Sequence, residues 1–158
     1  GLQAWAAGLI LTVGAVSWAT GSALQGRLPE SVSHSRVVVL GSLLLSVGIA
    51  TQFITAFFTL PLWIAAAGWL VAGAGMGVTF PRLSTLVLSH SSVRDQGFNS
   101  AALSIADAAG GAVAIAFGGL VFAAVGGLVN GAGFVAALGL AALLAVASIP
   151  VALRVRIR

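Results

Sequence analysis

The chain has 158 residues, of which 59% are hydrophobic and only 6% are charged. A soluble domain is about 25% charged and a disordered chain is richer in charge still, so this composition excludes both classes. The formal net charge of +4 comes from seven basic residues, all arginine, and three acidic ones, and mean hydropathy is +1.14. These values indicate an integral membrane protein whose arginines mark its topology, without a nucleic-acid partner. Because the chain has no cysteine, disulfides, thiolate nucleophiles and cysteine-ligated metals are excluded.

Five apolar segments follow one another along the chain, at residues 4–24, 37–58, 62–89, 98–125 and 131–153. Each has at least the roughly 20 residues that a helix needs to cross a hydrocarbon core of about 30 Å. Backbone amides in lipid must bond within the protein, and the alternating pattern of a barrel strand is missing, so the segments should be helices. The sequence therefore predicts one all-α transmembrane domain over residues 1–158, a polytopic bundle of five helices.

The orientation follows from the arginines that lie outside the apolar segments: Arg27, Arg36, Arg94, Arg154, Arg156 and Arg158. They follow the first, third and fifth segments, whereas the turns at residues 59–61 and 126–130 carry no charge. Basic loops stay in the cytoplasm. We therefore expect a multi-pass protein of the cytoplasmic membrane with its N-terminus outside and its C-terminus inside. Since nothing before the first segment resembles a signal peptide, we also expect this chain to be part of a longer one.

Glycine is abundant, with 21 residues, and falls mostly inside the apolar segments. The positions that indicate helix packing or bending are Gly73, Gly75, Gly77, Pro81, Gly110, Gly111, Gly118 and Gly119. Small residues let helix backbones approach closely in lipid, and proline removes a helix hydrogen bond and favours a kink. Two interpretations stay open. The residues give tight packing and shape alone, or they form a sliding face and a gate element during transport.

Asp107 is the most informative residue of the sequence. It lies nine residues after Phe98, or about 13 Å along a helix, close to the middle of the membrane. A carboxylate there costs at least about 2.5–3.5 kcal/mol, so we expect it to face a protein or water-filled interior. One hypothesis is a proton-coupling or substrate-facing site, with Gln52 and Asn99 as further cavity candidates. The other is a structural carboxylic acid that Ser104, Asn99 or Gln52 holds by hydrogen bonds.

Arg82, Arg94 and Asp95 fall at the cytoplasmic ends of the third and fourth predicted helices. They are candidates for a gate on the inner face, closed by an ion pair. The alternative is that they are ordinary interfacial charges whose long side chains reach the headgroups.

Catalytic chemistry is not expected. Neither histidine lies within a span, the spans contain one aspartate, and the zinc-binding pattern H-E-x-x-H is absent. These residues exclude the common intramembrane serine, aspartyl and zinc proteases. The sequence predicts no enzyme activity, no metal site and no cofactor.

Two stretches resemble the major facilitator superfamily, above all its multidrug-efflux branch with proton antiport. Residues 73–119, with a glycine-rich helix, a proline, a short polar loop and a second small-residue helix, resemble helices ten and eleven of that family. Residues 21–41 are similar to the second copy of its cytoplasmic loop motif, and the matching positions are Gly21, Arg27, Arg36 and Gly41. Gln25 stands where the motif usually has an acidic residue, which argues against a charge relay in this loop.

The resemblance implies that the five helices are about helices eight to twelve, a partial C-terminal half of a major facilitator fold whose N-terminal half lies outside this sequence. It also implies a secondary transporter that works by alternating access, with a small-molecule substrate, protons and the lipid bilayer as partners. We expect proton-coupled efflux of amphipathic molecules. The alternatives are a non-transporting scaffold or assembly subunit, and a member of the superfamily that imports a metabolite. The role of Asp107 is not carried over from the family and rests on its depth.

The predicted orientation can be tested with single cysteines, because the chain has none of its own. In intact cells, an impermeant maleimide should label Thr59→Cys and Leu128→Cys, which lie in uncharged turns. Ser92→Cys should react only after the membrane is permeabilised. Labelling of Ser92→Cys from outside would contradict the topology.

Overall fold

The computed structural model describes residues 4–29 and 32–155 and confirms the all-α fold. Arg156 and Arg158, which contributed to the predicted orientation, lie outside the described residues. Within those two ranges there are no strands; the helices are α1 (Ala4–Gly26), α2 (His34–Phe57), α3 (Leu62–Ser89), α4 (Gln96–Ala124) and α5 (Ala132–Leu153), with a 3-10 turn at Val129–Gly131. All five α-helices are long and apolar enough to cross a membrane.

The first and last residues of the helices are close to those of the predicted segments, and the largest difference is at the start of α2. This helix begins at His34, three residues before the predicted apolar segment that starts at residue 37. Its first turn contains the polar residues His34, Ser35 and Arg36. Polar residues can form a helix turn at the headgroup level. Hydropathy therefore predicts where the apolar part of a helix begins, and the helix itself can begin earlier.

Helix α3 occupies the centre of the packing. It lies against α1 on one side and α2 on the other, and α2 also packs against α5. Helix α4 packs on α5 and, less extensively, on α3. As a result, α4 has no buried residue, whereas α2 and α3 each have several.

Glycines allow the close approach of α3 to its neighbours. A Cβ atom at Gly75 would lie 2.6 Å from the carbonyl oxygen of Gly41 in α2. A Cβ atom at Gly48 of α2 would lie 2.6 Å from the carbonyl oxygen of Gly68 in α3. On the other side of α3, a Cβ atom at Gly73 would meet the backbone of Gly14 in α1. Since no side chain fits at these crossings, the helices touch backbone to backbone, as small residues permit in lipid.

Small polar side chains join the same helices through hydrogen bonds to backbone carbonyls. Ser17 of α1 donates to the carbonyl oxygen of Leu70 at 2.6 Å, and Ser46 of α2 donates to that of Ala145 in α5 at 2.8 Å. Such bonds between helices add of the order of 0.6 kcal/mol each in membrane proteins. They tie α1 to α3 and α2 to α5 without burying a charge.

The distribution of apolar side chains is the reverse of that in a soluble domain. The buried hydrophobic residues are few and mostly small: Val37, Val38, Ala72, Leu86, Ala145 and Ala152. Large side chains such as Leu143 and Ile115 are 70% and 78% exposed. An aqueous surface this apolar would aggregate, so the outer surface of the bundle is suited to lipid.

Two uncharged turns end α2 and α4 in the same way. After α2, Leu60 donates its backbone N–H to the carbonyl oxygen of Thr55 at 2.9 Å, and Thr59 has a positive φ of 51°. After α4, Gly127 donates to Phe122 at 2.8 Å, and Gly126 has a φ of 107°. Both are Schellman-type ends, which satisfy helix carbonyls before the chain reverses.

The glycine crossings give a direct test of the packing. Gly75→Leu should place a side chain where α2 must lie and should destabilise the protein by about 1–3 kcal/mol or more, as overpacking does. Gly8→Leu is the matched control, because a Cβ atom at Gly8 has no neighbour within 4 Å. Unfolding in a mixed-micelle denaturant series measures both. Equal stability of the two variants would contradict the backbone contact.

Candidate functional site: the Asp107 groove

The strongest candidate site is a groove between α3 and α4 at Asp107. One cavity there has a volume of about 210 Å³ and is lined by Phe80, Ser84, Leu88, Ser100, Leu103, Ser104 and Asp107. A second cavity of about 210 Å³ shares Asp107 and extends toward Met76, Thr79 and Leu83. We call the two together the Asp107 groove. It combines one carboxylate, several hydroxyls and an apolar wall.

The carboxylate of Asp107 is exposed in this groove and unpartnered within the described part of the chain. It lies eleven residues after the first residue of α4, Gln96, or about 16 Å along the helix. That distance places it near the middle of a helix able to span the membrane. A carboxylate here can take up a proton or accept hydrogen bonds from a ligand.

The serine hydroxyls of the groove are partly committed to their own helices. Ser84 donates to the carbonyl oxygen of Phe80 at 3.2 Å, and Ser104 donates to that of Ser100 at 3.1 Å. Each hydroxyl oxygen still has lone pairs that can accept a hydrogen bond. The groove therefore offers acceptors for a donor-bearing ligand or for water.

The other two predicted cavity residues lie apart from Asp107. Gln52 donates its amide Nε2–H to the carbonyl oxygen of Ala65 at 2.8 Å and joins α2 to α3. Asn99 donates its amide Nδ2–H to the hydroxyl of Ser91 at 2.8 Å, at the turn between α3 and α4. Neither of these groups, nor Ser104, bonds Asp107 in this conformation. The interpretation of Asp107 as a structural acid held by one of them has no contact to support it.

The ion pair that was one of two interpretations of Arg82, Arg94 and Asp95 is not formed within the described residues. Asp95 instead accepts a hydrogen bond from the Ser92 hydroxyl at 2.6 Å, and both Arg94 and Asp95 are exposed. Arg82 is only 8% exposed. It shares a face of α3 with Leu86, which packs against α2.

The four positions of the loop motif separate into two kinds. Gly21 and Gly41 are buried at contacts with α3, where a Cβ atom at Gly21 would lie 3.0 Å from the carbonyl oxygen of Ala74. Arg27 and Arg36 are exposed at the ends of α1 and α2. The glycines therefore have a packing role, and the arginines provide positive charge at one end of the bundle.

The predicted glycine face of α4 is uncovered. A Cβ atom at any of its four positions would have no neighbour within 4 Å among the described residues: Gly110, Gly111, Gly118 and Gly119. The glycines of α3 differ, since Gly73, Gly75 and Gly77 all meet backbone atoms of α1 or α2. The small-residue pattern thus marks a covered surface on α3 and an open one on α4.

Pro81 lies within α3, and the helix continues through it. Proline has no N–H, so the carbonyl oxygen of Gly77 loses its donor four residues on. The hydroxyl of Ser22 in α1 donates to that oxygen at 3.2 Å. Sequence reasoning missed this bond, and also the burial of Arg82, because both depend on which residues of the neighbouring helices lie opposite them.

Comparison with known proteins adds nothing to the description of the site. The chain matches no protein-family model, no curated protein and no solved structure. The features that define the site are the depth of Asp107, the composition of its groove and the uncovered face of α4.

The bond between Ser22 and Gly77 predicts a coupling between Ser22 and Pro81. Ser22→Ala should cost about 0.5–1.5 kcal/mol, because it leaves the Gly77 carbonyl unsatisfied. In a Pro81→Ala background the helix supplies its own N–H, so the same substitution should cost less. A double-mutant cycle of unfolding free energies measures the difference. Additive effects would show that the hydroxyl does not replace the missing donor.

Proposed function

We propose that this chain is part of a secondary active transporter that exports amphipathic small molecules by alternating access, coupled to protons. The observation that carries the proposal is the carboxylate of Asp107, which lies at mid-helix depth in an open groove and has no partner in residues 4–29 and 32–155. Ionisable groups within membrane spans are expensive to maintain and typically mark ion or substrate pathways.

The groove has the chemistry that such a role requires. With a proton, Asp107 is neutral and can be exposed to a low-dielectric environment at reduced cost. Without it, the carboxylate attracts a proton or a positively charged part of a substrate. The apolar walls, with Phe80, Leu103 and Met76, suit the hydrophobic part of an amphiphile. Competition of substrate and proton for one carboxylate would couple their movements.

The helix opposite Asp107 can contribute the movement. Pro81 removes one backbone hydrogen bond from α3, beside the groove residue Phe80. A proline in a membrane helix lowers the resistance to bending at that place. We propose that bending of α3 there changes the access of Asp107 from one side of the membrane to the other.

The uncovered face of α4 supports a larger assembly around this groove. Its glycines have no neighbour among the described residues, although small residues on a membrane helix are typical of helix contacts. In the proposal, the N-terminal half of a major facilitator fold covers this face and closes the cavity. The resemblance of residues 73–119 to helices ten and eleven of that family agrees with this arrangement.

The two alternatives have less support. A scaffold subunit would have Asp107 packed dry against other helices, whereas the carboxylate is exposed in a groove. An importer of a sugar-like metabolite needs many hydrogen-bonding groups, and the groove offers three serines, one threonine and one carboxylate. An apolar groove with one charge favours amphiphiles. The proposed location is the cytoplasmic membrane, with the basic end of the bundle inside.

The test is proton-driven transport by the full-length protein in proteoliposomes. Asp107→Asn should reduce gradient-driven movement of the fluorescent amphiphile ethidium at least about tenfold, because a lost charge interaction in a low dielectric exceeds about 1.4 kcal/mol. Asp107→Glu should retain part of the activity. Asp95→Asn is the matched control, since Asp95 is an exposed acid outside the groove. Undiminished coupling in Asp107→Asn would refute the role of this carboxylate.

A further inference from the structure

A further cavity, with an aromatic lining, lies between α1, α2 and α3. It has a volume of about 300 Å³, and we call it the indole cavity because two tryptophans line it, Trp18 of α1 and Trp69 of α3. The rest of its lining consists of small and aliphatic side chains and of Met76, the single methionine of the chain. Neither indole N–H donates a hydrogen bond within the described part of the chain. No structural hydrogen bond therefore accounts for the two rings.

Gly14 of α1 makes room for the indole of Trp69. A Cβ atom at Gly14 would lie 2.6 Å from Nε1 of that ring. Gly14 also lies at the crossing of α1 and α3, where a Cβ atom at Gly73 would meet its backbone. The position of the Trp69 ring thus follows from the helix crossing and is set before a ligand binds. A preformed wall of this kind lowers the cost of ordering side chains on binding.

The indole cavity and the Asp107 groove adjoin each other along one face of α3. Trp69, Met76 and Phe80 follow at intervals of seven and four residues, which places them on the same side of the helix. Met76 lines both cavities. Phe80 lines the groove, and its ring packs edge-to-face against Trp18 with the centroids 6.5 Å apart. One ligand can therefore extend from the carboxylate of Asp107 to the two indoles.

The size and chemistry of the indole cavity favour an aromatic ring over a helix or an acyl chain. One turn of a helix about 10–12 Å across takes up roughly 500 Å³, which is more than the cavity volume. An acyl chain fits this volume but makes no contact that requires an indole. An aromatic ring does, because edge-to-face contact with indole and contact with a thioether sulfur both add to apolar burial.

We propose that the indole cavity binds the aromatic ring of the exported molecule while the positive charge of that molecule meets Asp107. The inference rests on the proposed function, since Asp107 holds the charged end of the same ligand. The substrate class is then narrower than amphiphiles in general. It consists of cations joined by a short linker to a rigid aromatic ring system, and Trp18 and Trp69 are the residues that select the ring.

The test compares two ligands of equal charge and carbon skeleton, naphthylpropyl-trimethylammonium and its decahydronaphthyl analogue, whose rings are saturated. Equilibrium dialysis of the radiolabelled ligands measures their binding to the full-length protein in detergent micelles, with protein-free micelles as the blank. The variants are Trp18→Leu, Trp69→Leu and Asp107→Asn. Trp63→Leu is the matched control, because Trp63 is 70% exposed and lines neither the indole cavity nor the Asp107 groove.

Wild type and Trp63→Leu should bind the naphthyl ligand at least about fivefold more tightly than the saturated one. Trp18→Leu and Trp69→Leu should each reduce this ratio, and either variant suffices if the other does not fold. Equal binding of the two ligands to wild type would overturn the inference and would indicate an acyl chain or a protein side chain in the cavity. An unchanged ratio in the tryptophan variants that fold would overturn it as well.

Asp107→Asn separates this inference from the proposed function. It should weaken the binding of both ligands by a similar factor and keep their ratio, because the carboxylate meets the charge and not the ring. Weaker binding in Asp107→Asn without any ring preference in wild type would refute the ring site alone. A ring preference with undiminished binding in Asp107→Asn would contradict the role of Asp107 and support the ring site. Absence of saturable binding of the naphthyl ligand to wild type would overturn both.

Discussion

Backbone contact between α3 and its two neighbours is the interaction on which the rest of the structure depends. In lipid, burial of apolar side chains gives no advantage over contact with acyl chains, so helices associate through close packing and hydrogen bonds. Gly75 against Gly41, and Gly73 against Gly14, let α3 touch α2 and α1 without intervening side chains. Because those crossings fix the position of α3, they also fix the positions of Arg82 and of the α3 residues that line the Asp107 groove.

This packing separates the polar groups of the bundle into two kinds, neutral groups that bond across helix contacts and charged groups that do not. Where helices touch, hydroxyls and amides bond to carbonyls on the next helix, as Ser17, Ser46 and Gln52 do. Three charged groups on described helices have no such partner among the described residues: Asp107 in its groove, Arg82 on the buried face of α3, and Arg36 in the first turn of α2. Neutral groups therefore hold the structure together, and the charged ones are available for ligands. In our proposal the ligand of Asp107 is a proton or a substrate.

Much of the fold could be predicted from sequence, because the hydrocarbon core imposes both helix length and helix type. The five helices were predicted in number and order, and α3 has the bounds given by its apolar run. The site was predicted in part. Asp107 stands out because a carboxylate in a span is costly wherever it points. Its groove partners on α3, such as Ser84, could not be identified, since serine is common in spans and only the crossing of α3 and α4 brings it near.

The gate considered for Arg82, Arg94 and Asp95 shows the opposite case. Their positions in the sequence allowed an ion pair as one of two interpretations, but Arg82 lies on the face of α3 that also carries Leu86, which packs against α2. The glycines of α3 and α4 could not be told apart by sequence either. Whether a small-residue face is covered depends on which helices are present around it, and that is a property of the assembly.

The apolar outer surface of this bundle should face lipid. Spin labels at Leu9, Val47 and Leu143, which are 57%, 58% and 70% exposed, test it in bilayers through collision with oxygen and with a water-soluble nickel complex. Oxygen partitions into hydrocarbon and the nickel complex does not. We predict high oxygen and low nickel accessibility at all three positions. Nickel accessibility as high as that of a label in the 90–96 turn would show that these surfaces face water and would contradict a lipid-facing bundle.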